Sequence, residues 1–260
     1  MNIAGKTLKR RIRACFDLLL PRTCIVCGRR LQVDERLLCL PCRIDLPLTY
    51  YWERPHNPMA DRFNEAIQRD LDTAWERGQA HEPYAYACAL FFYDSHGKYR
   101  YITQSLKYHG DLECGRHFGR MLGAMIAASK HYQDISLVIP VPLHWRRKWK
   151  RGYNQAEVIA RETASRLGLK MRADILERRR YTKTQTRLDV SGKTANVSGA
   201  FQINEKIQDE IMQICGNHIL IIDDVFTTGS TLYACFSALR SVLPSEVRIS
   251  VATLGFVGRA

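Results

Sequence analysis

The chain has 260 residues, 46% of them apolar and 25% charged, enough to bury a full core with room for a small extra module and too apolar for wholesale disorder. No apolar run reaches the length that a bilayer-spanning helix needs, so no transmembrane segment is expected. The net charge of +13 is high for a small-molecule enzyme and points either to an anionic partner, such as a polyphosphate or nucleic acid, or to a generally basic surface.

The chain opens on Lys6, Lys9, Arg10, Arg11 and Arg13, followed by Phe16, Leu18, Leu19 and Leu20. The apolar part is too short for a signal peptide, contains Asp17 and lacks a small-residue cleavage site. A basic amphipathic helix is expected instead, with membrane-surface contact as the lesser alternative. There are nine cysteines, an odd number, and four of them cluster. Without a secretion signal this argues for a reducing, cytoplasmic setting and for a metal rather than disulfides.

Cys24 and Cys27, then Cys39 and Cys42, form two CxxC knuckles separated by eleven residues. Four thiolates so spaced can meet at one tetrahedral Zn²⁺; redox dithiols are the alternative. Gly28 follows the first pair, where a tight turn needs conformational freedom. A site closed by four thiolates has no open position, so the zinc would be structural. The segment has few apolar residues of its own, and metal binding of roughly 10–16 kcal/mol would supply the missing stability. Arg22, Arg29, Arg30, Arg36 and Arg43 surround it, as a nucleic-acid contact or as solvated charge.

Residues 46–83 read as a connector rich in Pro, Arg and aromatics, with one short helix where Phe63, Ile67 and Leu71 keep i, i+4 spacing. His56 and His81 read as surface residues. The expected division is thus a basic helix and a four-cysteine zinc finger over 1–48, a connector over 49–84, and an α/β domain over 85–260. Within that domain, 86–93 reads as a strand, 94–97 as a turn, and 99–107 as a second strand leading into a helix. Lys107 to Asp111 is a polar break, and 112–129 a helix with Phe118, Leu122 and Met125 on one face.

The run 137–142 is the next apolar strand. It leads into a loop, 144–155, in which five of the six residues from Arg146 to Arg151 are cationic, before a helix over 156–167. Like charges repel, so such density fits a bound anion. Ligand sites of open parallel sheets lie outside the strands' carboxyl ends, which places this loop to hold a diphosphate. Trp145 and Trp149 interleave with the charges and would also suit stacking on single-stranded bases; a solvated basic loop is the alternative. Another strand begins at 174–176. The stretch that follows is polar and contains glycine, so it reads as a segment that orders over a ligand.

The most informative stretch is Ile219, Leu220, Ile221, Ile222, Asp223, Asp224, Val225, Phe226, Thr227, Thr228, Gly229, Ser230, Thr231. A continuous apolar run reads as a buried parallel strand. Two carboxylates follow where the strand should end, then a hydroxyl-rich loop, then an amphipathic helix with Leu232, Phe236, Leu239 and Val242. Loop N–H groups and hydroxyls at a helix N-terminus can wrap a phosphate. Gly229 lets backbone approach it closely. The two Asp side chains can accept hydrogen bonds from adjacent sugar hydroxyls. The bland alternative is a buried strand whose Asp pair caps a helix. The chain closes on a strand over 247–253.

The stretch 219–231 resembles the PRPP-binding motif of type I phosphoribosyltransferases. With the two knuckles, Leu106-Lys107-Tyr108, Gly110-Asp111, Val141-Pro142-Leu143, Arg151-Gly152-Tyr153-Asn154-Gln155, Thr184-Gln185, Asn196-Val197 and Ala200-Phe201, it resembles the ComF (GntX-like) family over nearly the whole chain. The resemblance implies a type I phosphoribosyltransferase-like parallel sheet flanked by helices, with a small N-terminal zinc ribbon of four cysteines. It implies PRPP or a ribose 5-phosphate ligand, Mg²⁺ and structural Zn²⁺, and a role in natural transformation on incoming single-stranded DNA, with other DNA-uptake proteins as further partners. A nucleobase-salvage enzyme, or a DNA- or nucleotide-binding protein without turnover, is the alternative. By the resemblance, Asp223 and Asp224 are the catalytic-site acids, holding the ribose hydroxyls partly through waters on Mg²⁺. Thr227, Thr228, Gly229, Ser230 and Thr231 hold the 5-phosphate. Arg151, with Arg146, Arg147 and Lys107, neutralises the diphosphate, and Lys183 with Thr184-Gln185 belongs to a hood. Lys193 departs from the family's usual Arg, keeping the charge and losing the planar fork. Thr227 stands where purine-salvage members have an acid, so that chemistry is not supported and no nucleobase acceptor follows.

Overall fold

The computed structural model describes residues 21–75, 82–108, 110–178, 200–208 and 210–258. The basic N-terminal stretch lies outside them, as do Lys183, Thr184, Gln185, Lys193, Asn196 and Val197.

Five strands, β1 (Ala87–Phe92), β2 (Leu137–Pro140), β3 (Lys170–Met171), β6 (His218–Phe226) and β7 (Arg248–Phe256), form one parallel sheet in the order β1-β7-β6-β2-β3. Two short strands, β4 (Leu176–Arg178) and β5 (Phe201–Ile203), pair antiparallel outside that sheet and bracket residues 179–199. The central strand is buried because Ile219, Leu220, Ile221 and Ile222 offer apolar side chains to both faces. It does not end at the acid pair as the sequence suggests. Both Asp residues lie within its last four positions.

The helices are α1 (Leu40–Ile44), α2 (Pro58–Trp75), α3 (Arg100–Tyr108), α4 (Leu112–Ala128), α5 (Trp145–Arg151), α6 (Gln155–Leu167), α7 (Ile211–Cys215) and α8 (Ser230–Arg240). Three differ from the sequence expectation. The stretch 99–107 contains no strand: Tyr99, Ile102, Thr103 and Leu106 are buried at spacings of three and four, the period of a helix. Lys107 is consequently in the last turn of α3 rather than in a polar break. The connector helix is 18 residues long, not short. The basic loop is the helix α5, capped where His144 Nδ1 accepts the Arg146 N–H at 3.3 Å.

Helices α4 and α6 pack in close contact because Gly115, Gly119 and Gly123 lie on the α4 face toward α6. A Cβ at Gly119 would stand 2.9 Å from the Ile159 carbonyl oxygen. The cysteine-bearing segment is tied to the sheet by its exit. Thr49 N–H donates to Leu90 O at 3.2 Å and Phe92 N–H to Pro47 O at 2.8 Å. Tyr99 Oη also donates to the Cys42 carbonyl at 3.1 Å. No helix among the described residues is long and apolar enough to cross a membrane.

Candidate ligand-binding and metal sites

Strand β2 stops at Pro140, opposite Ile222, while β6 continues against β7 to Phe226. The acid pair thus lies beyond the last β2 pairing, at the carboxyl edge of the sheet, where open parallel sheets take their ligands. Asp223 Oδ1 accepts the Asp224 N–H at 2.8 Å, and Lys107 Nζ reaches Asp224 Oδ2 at 2.8 Å. Burial, then the adjacent Asp224 charge, pushes the Asp223 carboxyl from 3.8 up to about 7, against the pull of the Asp224 N–H, Lys107 and Arg178. Burial alone would lower Lys107, but the Asp224 ion pair outweighs it and raises the ammonium's proton affinity.

The loop after the strand turns into α8 with Gly229 at φ +80°. A Cβ there would stand 2.6 Å from the Phe226 ring, so the turn needs glycine on both counts. Thr227 and Thr228 are exposed. Thr228 Oγ1 lies 2.8 Å from Ser230 Oγ and receives the Ser230 N–H at 3.4 Å. Thr231 sits in the first turn of α8. Hydroxyls and helix N-terminal N–H groups therefore gather at one end, an arrangement suited to an anion.

The Arg151-Gly152-Tyr153-Asn154-Gln155 stretch proves to be a clamp. Asn154 caps α6, its Oδ1 accepting the Ala156 N–H at 3.2 Å, and its amide donates to Val141 O at 2.9 Å. Tyr153 Oη and Gln155 Nε2 both donate to the Leu106 carbonyl, the residue before Lys107. Arg151 donates to Gln155 Oε1 at 3.1 Å. The stretch thus ties the end of β2, the last turn of α3 and the start of α6 together. Arg146 stacks 5.2 Å over Trp145 on α5, which also carries Arg147. Burial, then the Arg178, Arg146 and Arg147 charges, holds His144 below its usual range, so the cap stays neutral.

Two residues beyond the sequence reading belong here. Arg178, on β4, stacks 5.1 Å over Phe201, and its charge is felt at Asp223, His144 and Cys235. It is the first of three consecutive arginines in the sequence, and its place is set by the β4–β5 pairing of Arg178 with Phe201. Arg62, on α2, donates to Thr227 O at 3.2 Å across 165 positions of sequence, a link without local signal.

The four Sγ atoms of Cys24, Cys27, Cys39 and Cys42 lie within 4.8 Å of one another. A tetrahedron with ~2.3 Å zinc–sulfur bonds has edges of about 3.8 Å, and Cys27 and Cys39 stand 3.6 Å apart. The donor set fits zinc. For Mg²⁺ the donors would be the two carboxylates, with ligand oxygens and water completing the shell, which fits that ion's habit.

Residues 154–255 match the phosphoribosyl transferase domain. The chain is 28% identical over 151 residues to Competence protein F of Haemophilus influenzae, an alignment covering 57% of this chain and 64% of that protein, just under two thirds of its length. It is 27% identical over 212 residues to DNA utilization protein YhgH of Escherichia coli O157:H7, covering 80% of each. It is 30% identical over 134 residues to the YhgH of Salmonella typhimurium, covering 50% of this chain and 56% of that one. Sheet order, domain match and relatives converge on a phosphoribosyltransferase-fold protein similar to the ComF-like competence and DNA-utilization proteins.

Proposed function

We propose that the chain binds PRPP, or a ligand carrying its ribose 5-phosphate part, together with Mg²⁺, and that it does so in the service of DNA utilization. The observation that carries this is the junction of a half-buried acid pair with a hydroxyl-lined helix N-terminus at the edge where β2 has stopped. Asp223 and Asp224 would take the ribose hydroxyls and waters of the cation. Residues 227–231 would hold the 5-phosphate. Lys107, Arg151, Arg146 and Arg147 would face the diphosphate, with Lys183 supplied from outside the described residues. Bound Mg²⁺ would neutralise charge on the diphosphate oxygens. Calorimetry with PRPP and Mg²⁺ tests this: wild type should bind, Asp223→Ala/Asp224→Ala should not, and equal binding by both would refute it. Diphosphate release, screened over nucleobases and single-stranded DNA, decides between an enzyme and a binding protein.

A second reading rests on α5. Trp145 and Trp149 are 65% and 87% exposed on a helix that also carries Arg146, Arg147, Lys148, Lys150 and Arg151. Arg146 and Arg147 sit in its first turn, where the macrodipole disfavours cations unless an anion joins them. Single-stranded DNA supplies phosphates for the cations and bases for the indoles. This agrees with relatives named for competence and for DNA utilization. Contact with about four phosphates gives a log–log salt slope near −3, and a flat response would refute it.

A further inference from the structure

Helix α2 lies outside the matched domain, yet it reaches the loop after β6 and the elements that flank it. Arg62 Nη1 donates to Thr227 O at 3.2 Å and to Val257 O at 3.3 Å. Its guanidinium stacks 5.2 Å over the Phe256 ring, on the strand next to β6. The adjacent Phe63, fully buried, meets Phe226 edge-on at 6.5 Å and Phe236 at 5.8 Å, one ring on each side of the loop. The Phe226 ring is the one that Gly229 must stay clear of.

We propose that Arg62 is a positioning residue for the phosphate loop, and this rests on the phosphate-site reading above. In a trans peptide, the carbonyl and the following N–H point in opposite directions. No cis peptide bond occurs among the described residues. With its carbonyl held by Arg62, the Thr227–Thr228 peptide presents the Thr228 N–H away from α2, toward the side where an anion would sit. One guanidinium holding two carbonyls also ties the loop to the end of β7. Both bonds leave the single nitrogen Nη1, whose aim is fixed by the planar guanidinium stacked on Phe256; a Lys would restore the charge without that planar anchor.

The test compares wild type with R62M and R62K, using ribose 5-phosphate and Mg²⁺-diphosphate as separate probes. Losing these charge-assisted bonds should weaken ribose 5-phosphate binding about tenfold in R62M, and by much the same in R62K. Mg²⁺-diphosphate affinity and the melting temperature should stay near wild type. Restoration by R62K would mean that the guanidinium anchored on Phe256 is not needed and would overturn the proposal. So would equal weakening of both probes. If wild type takes up no ribose 5-phosphate, the phosphate-site reading fails. Arg62 is then judged by amide exchange at Thr228 to Thr231 in the ligand-free protein. There faster exchange in R62M is expected, and unchanged protection overturns the assignment.

Discussion

Lys107 Nζ stands 2.8 Å from Asp224 Oδ2, on a carboxylate that the proposed cation and sugar would also need. On the proposed reading, ligand entry would be an exchange in which the ammonium leaves Asp224 for an incoming phosphate oxygen. Lys107→Met removes both the placeholder and a charge that holds Asp223 down. Mg²⁺-PRPP affinity should fall about tenfold at pH 8.5, and further at pH 6.5, where the acid pair, already largely protonated at Asp223 in wild type, holds its proton more firmly without Lys107. Calorimetry at the two pH values checks this.

Asp223 titrates in the folded chain at about 7 against an ordinary 3.8. The folded state therefore binds more protons than the unfolded one between these values. The associated stability is fully present below pH ~4, is lost as pH rises through ~7, and is flat above. Asp223→Asn removes that dependence. The variant should be more stable than wild type at pH 8 by on the order of 1 kcal/mol or more, with the gap closing toward pH 4. Denaturant unfolding across this range reads the difference directly.

At the opposite end of β6, His218 is fully buried between Asp134, at 2.6 Å from Nδ1, and Ser250, at 2.7 Å from Nε2. Burial lowers its proton affinity in spite of Asp134. Stability attached to His218 is thus present above the ordinary histidine range and lost as pH falls through the lowered value. Asp134→Ala strands a buried ring nitrogen and should cost ~1–3 kcal/mol at pH 7.5. Urea unfolding measures it.

The four-cysteine site should hold one zinc per chain by atomic absorption. Cys39→Ser should abolish stoichiometric uptake and lower the melting temperature, as expected if bound metal supplies stability to residues 21–46.

Gly119→Ala would push a Cβ to 2.9 Å from the Ile159 carbonyl and force α4 away from α6. A loss of ~1–3 kcal/mol is expected from overpacking, against the small gain that Ala brings to an exposed helix.

The strand and loop around Asp223 are legible in the sequence because a buried parallel strand is written as a continuous apolar run, and the hydroxyl loop follows without a break. The thiolate cluster is legible for the same reason, since its ligand spacing is local. The strand expected over 99–107 fails on its period: Tyr99 and Tyr101 suggest alternation, while Ile102 and Leu106 set the helix that brings Lys107 to Asp224. The basic stretch after β2 conceals a helix because its cations mask the i, i+4 tryptophans. Arg62 cannot be read at all, since its partner is a carbonyl 165 positions away.

The support that α2 lends to the loop has a practical consequence for anyone trimming this chain. Excising residues 85–260 on the strength of the domain boundary expected from the sequence would keep every loop hydroxyl and both acids. It would also unroof Phe226 and Phe236, and strip from β1 the Pro47 and Thr49 backbone bonds and the Asn57 amide bond to Ala87 O at 3.0 Å. Such a fragment would retain the motif while losing the wall behind it. Its failure to bind would then report on the cut rather than on the motif.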